Sequence, residues 1–169
     1  FIQSGYRYRC ILWPWRAIAL EFAKLHPTLV VVCADLNINA SACSQSTRPT
    51  AEEILTYGAC TAIFVKTDVS EAPDVRRLVQ SIVEQFGRLD VLVNSTGSLN
   101  NRGPRLVHET DESTYTKNMD DNAKSVFLGC KYAVEQFRRQ NLDSAGNKYA
   151  VLDHYLPIGL EAAWVCGFK

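Results

Sequence analysis

The chain has 169 residues, 47% hydrophobic and 21% charged, and its 18 basic and 18 acidic side chains cancel to a net charge of zero. That length and balance predict one domain over residues 1–169 with a real core. They offer no excess charge to hold a nucleic acid or an acidic partner, and no apolar run reaches the length of a helical membrane span.

The six cysteines (Cys10, Cys33, Cys43, Cys60, Cys130 and Cys166) form no C-x-x-C pair, and His26, His108 and His154 share no ligand spacing with them. No metal site is expected from that set. Thiols scattered through an α/β pattern suit a reduced, cytoplasmic protein. Arg7 and Arg9 before an apolar stretch at residues 10–15 faintly suggest a signal peptide. Pro14 and Arg16 interrupt that stretch and no small-residue cleavage site comes after it, so secretion is not expected. The first residue is Phe1 rather than Met.

In chain order, residues 1–15 are aromatic and basic and give no clear element. Residues 16–25 predict a helix with Ile18, Phe22 and Leu25 on one stripe. Residues 28–34 are rich in β-branched side chains and predict a buried strand closed by Asp35. A polar loop leads to Pro49 and a short helix at 51–57; residues 59–66 predict another strand, with Asp68 just after it.

The most regular stretch is 70–97. Val75, Leu78, Val79, Ile82, Val83 and Phe86 recur at spacings of three and four, the stripe of an amphipathic helix. Ser70 can cap its start, Pro73 and Asp74 suit its first turn, and Gly87 suits its stop. Residues 89–93, LDVLV, are too short for a helix and predict a buried parallel strand. Asn94-Ser95-Thr96-Gly97 then falls at the carboxyl end of a strand, where open α/β sheets bind ligands. A loop with Gly103-Pro104 leads to a long helix from Ser113, whose apolar face reads Tyr115, Met119, Val126, Phe127, Cys130, Val134 and Phe137. Asn122 lies within it, and an amide there needs partners, a neighbouring strand being one source. Lys124 and Lys131 read as solvated.

Residues 86–97, FGRLDVLVNSTG, resemble the short-chain dehydrogenase/reductase family, whose strand at this place usually ends in Asn-Asn-Ala-Gly. Asn94 and Gly97 match that ending, with Ser95-Thr96 between them. The resemblance runs over about residues 16–140. It takes in the helix at 16–24, VVVCADLN at 30–37, Thr67-Asp68-Val69-Ser70, and NAKSVFLGCKYAVEQF at 122–137. It implies a Rossmann-like α/β fold, a doubly wound parallel sheet that is here incomplete at both ends. It implies an NAD(P)-dependent oxidoreductase moving hydride between a nicotinamide and a small-molecule carbonyl or alcohol. Under it, Asp35 would accept from the adenosine ribose and favour NAD over NADP; a loop-capping Asp is the alternative. Asp68 would lie near the adenine ring, or simply cap a turn. Asn94 and Gly97 would allow tight backbone beside the cofactor, as they would in any strand-to-loop turn. Asn122 would hold a water of the proton relay, and the helix at 115–137 would serve a homo-oligomer.

Two departures stand out. Where the family has Gly-x-x-x-Gly-x-Gly, no glycine occurs between Gly5 and Gly58, and Trp13-Pro14-Trp15 fills the place. Those glycines let backbone N–H groups approach a pyrophosphate, so their absence puts cofactor binding in question. No tyrosine has a lysine four residues after it. Of the family's Asn, Ser, Tyr and Lys set only Asn122 can be placed; Lys148 and Tyr149 are adjacent and point in different directions on any regular element, which leaves His154 and Tyr155 as stand-ins. Little or no turnover is expected. The alternative is a non-catalytic remnant that binds a nucleotide or a protein partner, and divergent ends around a regular middle are the pattern an erroneous exon or frame choice would produce. A flavodoxin-like domain would give no reason for Asp35 and Asn94-x-x-Gly97 to occur together. The substrate cannot be read.

Overall fold

The computed structural model describes residues 2–3, 14–25, 29–38, 48–57, 61–95, 107–141 and 150–153. Among these residues five parallel strands form one sheet: β1 (Ile2–Gln3), β2 (Val30–Asp35), β3 (Thr61–Lys66), β4 (Val91–Asn94) and β5 (Ala150–Asp153). Their spatial order is β3-β2-β1-β4-β5, so the winding reverses at β1. This is a Rossmann-like doubly wound sheet. Its helices are α1 (Pro14–Leu25), α2 (Thr50–Leu55), α3 (Ala72–Phe86), α4 (Glu112–Met119) and α5 (Ser125–Arg139); a π-helical turn at Asp120–Lys124 joins the last two. A 3₁₀ turn covers Val107–Glu109.

Strand alternation sends successive side chains into two cores. On one face Val31, Cys33, Ala62 and Val93 pack against Ala19 and Ala23 of α1 and Ile54 of α2. On the other, Val32, Ala34 and Leu92 pack against Leu78 and Ile82 of α3 and Phe137 of α5. The α3 stripe buries Val75, Leu78, Val79 and Ile82 as its spacing predicts, each side chain contributing about 1.5–3 kcal/mol. Gly87 ends that helix at φ +82°, a conformation L side chains rarely adopt, and its N–H closes the last turn on the Val83 carbonyl.

Several boundaries differ from the sequence reading. α1 starts at Pro14, two residues early, because proline in a first turn gives up an N–H that no helical carbonyl would receive. α2 begins at Thr50 and ends at Leu55, β2 begins at Val30, and β4 runs one residue further, to Asn94. Ser70 does not cap α3. Its hydroxyl donates to Asp68 Oδ1 at 2.7 Å, while Glu71 holds the cap position without a side-chain bond.

The apolar face assigned to the long helix is also wrong in part. Val126 and Phe137 are buried, but Tyr115, Met119 and Phe127 are exposed at 61%, 45% and 62%. The π turn accounts for Tyr115 and Met119: one extra residue rotates α4 by about 100° relative to α5. Phe127 stands between the buried Val126 and Leu128 and takes the outer side of α5. Lys124 and Lys131 are exposed, as read. A fifth strand, absent from the sequence reading, lies beside β4, with Leu92 opposite Val151 and Val93 opposite Leu152.

β1 contributes two residues, pairing Ile2 with Cys33 and with Val93. Beneath it, a cavity of about 220 Å³ opens between β2 and β4, lined by Val30, Val31, Val32 and Val91, with Phe22 and Phe86 on either face. No described helix is long and apolar enough to cross a membrane.

Candidate functional site

The winding reverses at β1, and open α/β sheets bind ligands above the carboxyl ends of the strands on either side of such a reversal, here β2 and β4. The strand register brings the chemistry to that edge. Asp35 stands opposite Lys66, Gln3 opposite Ala34, and Asn94 opposite Asp153.

Asp35 ends β2 and is 7% exposed. Its Oδ1 accepts from the Asn37 N–H at 3.1 Å; its Oδ2 is buried with no hydrogen-bond partner among the described residues. Burial pushes its carboxyl up from 3.8 to about 6, against the backbone N–H groups of Asn37 and Leu36, which pull it down. A half-satisfied carboxylate there carries a cost that a donor-bearing ligand would relieve.

Asp68 lies past the end of β3. Its Oδ1 accepts from the Ser70 N–H at 3.0 Å and from the Ser70 hydroxyl, and its own N–H donates to Asp74 Oδ2 at 3.2 Å. These are the bonds of a local turn, and they use one of the two carboxylate oxygens.

Asn94 is fully buried at the end of β4. Its Nδ2 donates to Cys130 Sγ at 3.4 Å. Gly129 makes this approach possible: a Cβ there would run into Asn94 Oδ1 and come within 3.3 Å of Asn94 Cγ. The Asn94 side chain therefore faces α5. Gly97, expected beside it, lies outside the described residues, as do Lys148, Tyr149, His154 and Tyr155. Asn122 sits in the π turn, half-buried, and its Nδ2 donates to the Asn118 carbonyl at 2.8 Å. That bond goes to the preceding helical turn rather than to a neighbouring strand. Ser125 anchors the same turn by donating to the Asp121 carbonyl at 2.7 Å.

Sequence reasoning passed over Ser95. It is 3% exposed, and its Oγ is buried without a hydrogen-bond partner among the described residues. The signal was available, since a serine occupies a place where the family motif has another residue, but its burial was not legible. Sequence reasoning also missed Arg16, which is 5% exposed. It pairs with Glu53 of α2 and donates to Thr50 Oγ1 at 2.9 Å, clamping α2 onto α1 beside the Asp35 corner.

The comparisons with known proteins agree with the fold. The family profile described as enoyl-(acyl carrier protein) reductase matches residues 16–147. The chain belongs to the short-chain dehydrogenase/reductase family. An uncharacterised oxidoreductase of Thermotoga maritima is 43% identical over 79 residues, 47% of this chain and 30% of that protein. A 3β-hydroxysteroid dehydrogenase of Eggerthella lenta is 34% identical over 106 residues, 63% of this chain and 37% of that protein. Among solved structures, a short-chain dehydrogenase/reductase of Burkholderia xenovorans superposes with a TM-score of 0.70 at 24% identity, over 89% of this chain and 53% of that one. An NADH-dependent reductase complexed with NAD gives 0.66 at 24% identity, over 89% and 56%. These two likenesses show the fold. The chain spans between 27% and 53% of the length of the curated relatives it matches first.

Of the groups that would meet a nicotinamide dinucleotide, the described residues present the acid closing β2: Asp35 Oδ2 is buried with no hydrogen-bond partner among them, and ribose hydroxyls at the carboxyl end of the second strand would satisfy it.

Proposed function

We propose that the carboxyl edge on either side of β1 binds NAD(H), and that the chain is the cofactor-binding part of an oxidoreductase acting on a small-molecule carbonyl or alcohol. The observation that carries this reading is Asp35 Oδ2, a buried acceptor at the end of β2 without a partner among the described residues. Ribose hydroxyls would satisfy it as donors. An added 2′-phosphate would bring a second negative charge against it, so Asp35 favours NAD over NADP. When bound, the nicotinamide supplies or receives the hydride. The chain's own task is to hold the dinucleotide along the strand ends, with Asn94 fixing the end of β4 against α5 and Asn122 holding a water on the π turn.

A carbonyl receiving hydride also needs a proton. A lone tyrosine, with a pKa of about 10, is a poor donor–acceptor near neutrality unless a neighbouring cation lowers it. No Tyr-x-x-x-Lys occurs in the sequence. Binding is therefore expected to exceed turnover, with little or no hydride transfer by this chain. The exposed Tyr115, Met119 and Phe127 belong to the same reading as the contact of a homo-oligomer.

Titrating NADH and NADPH separately, by quenching of tryptophan fluorescence, tests the reading. NADH is expected to bind about tenfold or more tightly than NADPH, a difference of about 1.4 kcal/mol. Equal affinities would remove the role given to Asp35. Rapid single-turnover oxidation of NADH by a carbonyl would overturn the expectation of impaired chemistry.

A further inference from the structure

At the amino edge of the sheet, β2 and β4 face each other across a slot. Among the described residues β1 pairs with β2 at Cys33 and Ala34 and with β4 at Val93. β2 starts earlier than that pairing, at Val30, and β4 starts at Val91. Between those beginnings lies the cavity of about 220 Å³, lined by Val30, Val31, Val32 and Val91. Its width is that of one strand, since Ile2 holds β2 and β4 two strand spacings apart, about 10 Å. The β2 backbone offers hydrogen-bonding groups to it. Along a strand these groups alternate between the two neighbours. The Leu29 and Asp35 carbonyls accept from the Thr61 and Thr67 N–H groups on the β3 side. The N–H and C=O of Val30 therefore point into the slot, and a peptide group in apolar surroundings needs a partner. Phe22 of α1 and Phe86 of α3 close the slot on the two faces of the sheet. Leu25, one turn after Phe22 on the same helical stripe, is 71% exposed.

We propose that this slot takes an extended apolar peptide about three residues long, donated by another polypeptide and running parallel to β2 and β4. The strand edges select a peptide over a small apolar molecule. A peptide brings N–H and C=O groups to both edges at strand spacing, and a hydrocarbon brings none. Three residues at about 3.3 Å each match the length of residues 30–32. The inserted strand extends the ladder of Ile2 and Gln3 toward the amino edge. Its alternate side chains meet Phe22 on one face and Phe86 on the other, so apolar β-branched residues suit each position. Where it leaves the sheet, the exposed Leu25 gains cover. The slot lies at the opposite edge of the sheet from Asp35, and its occupation is independent of the nucleotide reading.

The probe is the amidated peptide Lys-Lys-Val-Val-Val, whose lysines stay in water at the amino edge, with Lys-Lys-Val-Pro-Val as its control. Proline keeps the apolar bulk and removes one N–H. Each is titrated into the whole 169-residue chain and followed by thermal unfolding and amide hydrogen exchange. The valine peptide is expected to raise the unfolding temperature with concentration, and to slow exchange at Val30 about tenfold or more while exchange in α4 is unchanged. The proline peptide is expected to bind about tenfold or more weakly. Equal binding by the two peptides would show an apolar pocket rather than a strand slot and overturn the inference. No rise in unfolding temperature at millimolar valine peptide would overturn it too. So would binding that leaves the Val30 amide exchanging as before, since the peptide would then sit elsewhere.

Discussion

Burial of the Asp35 carboxyl makes stability depend on pH. Its carboxyl keeps a proton up to about pH 6 in the folded chain but gives it up near its ordinary 3.8 when unfolded. Between those values the folded state holds more protons than the unfolded one, so stability falls as pH rises. The loss is complete above about pH 6, where it reaches about 3 kcal/mol, and absent below about pH 4. Asp35→Asn is therefore expected to unfold at a higher temperature than wild type at pH 7.5, with the gap closing at pH 4. A gap that does not change with pH would show that burial of the charge is not the cause. Gly129 makes a second residue-scale prediction. Gly129→Ala drives a methyl group into a fully buried Asn94 and is expected to destabilise by about 1–3 kcal/mol. Adding Asn94→Ala should recover most of that in chemical denaturation, because the clash needs the carboxamide. Asp35 was legible as a candidate because an acid closing a strand stands out. Ser95 and Gly129 were not, since their meaning lies in the groups packed against them.

Among the elements, α3 and β4 were read correctly in kind because their periodicities are strong and a glycine divides them. β5 was not legible, since three apolar residues and an aspartate are a strand only when a neighbour offers its edge, and β4 does. The π turn was equally invisible. It shifts the helical register at Asp120–Lys124, and with it the faces of Tyr115 and Met119. The start of β4 depends on a side chain just past the end of α5. The Gln140 Oε1 accepts from the Leu89 N–H at 3.1 Å, and its Nε2 donates to the Leu89 carbonyl. This clasp satisfies a buried backbone unit just before the strand. Gln140→Ala should lower stability by about 1–2 kcal/mol, one lost bond at each group. Hydrogen exchange should then quicken at Leu89 and β4 before it quickens in β3. Uniform quickening would argue against a local clasp.

At the scale of the whole molecule, the order β3-β2-β1-β4-β5 decides where a ligand can go. The reversal falls at β1, and Asp35, Ser95 and Asn94 all stand at the carboxyl edge on either side of it. The fold class was legible from alternating helix and strand patterns together with the family resemblance. Gly97 lies outside the described residues. The exposed apolar side chains of α4 and α5 predict self-association. Phe127→Asp should shift a dimer to monomer in sedimentation at micromolar concentration, and a wild-type chain already monomeric there would rule out that contact. The most direct test of nucleotide binding at the carboxyl edge is a calorimetric titration of NADH into wild type and Asp35→Ala. Micromolar binding is expected, weakened about tenfold or more by the substitution. Absence of binding at millimolar NADH, or equal binding by the two chains, would contradict it.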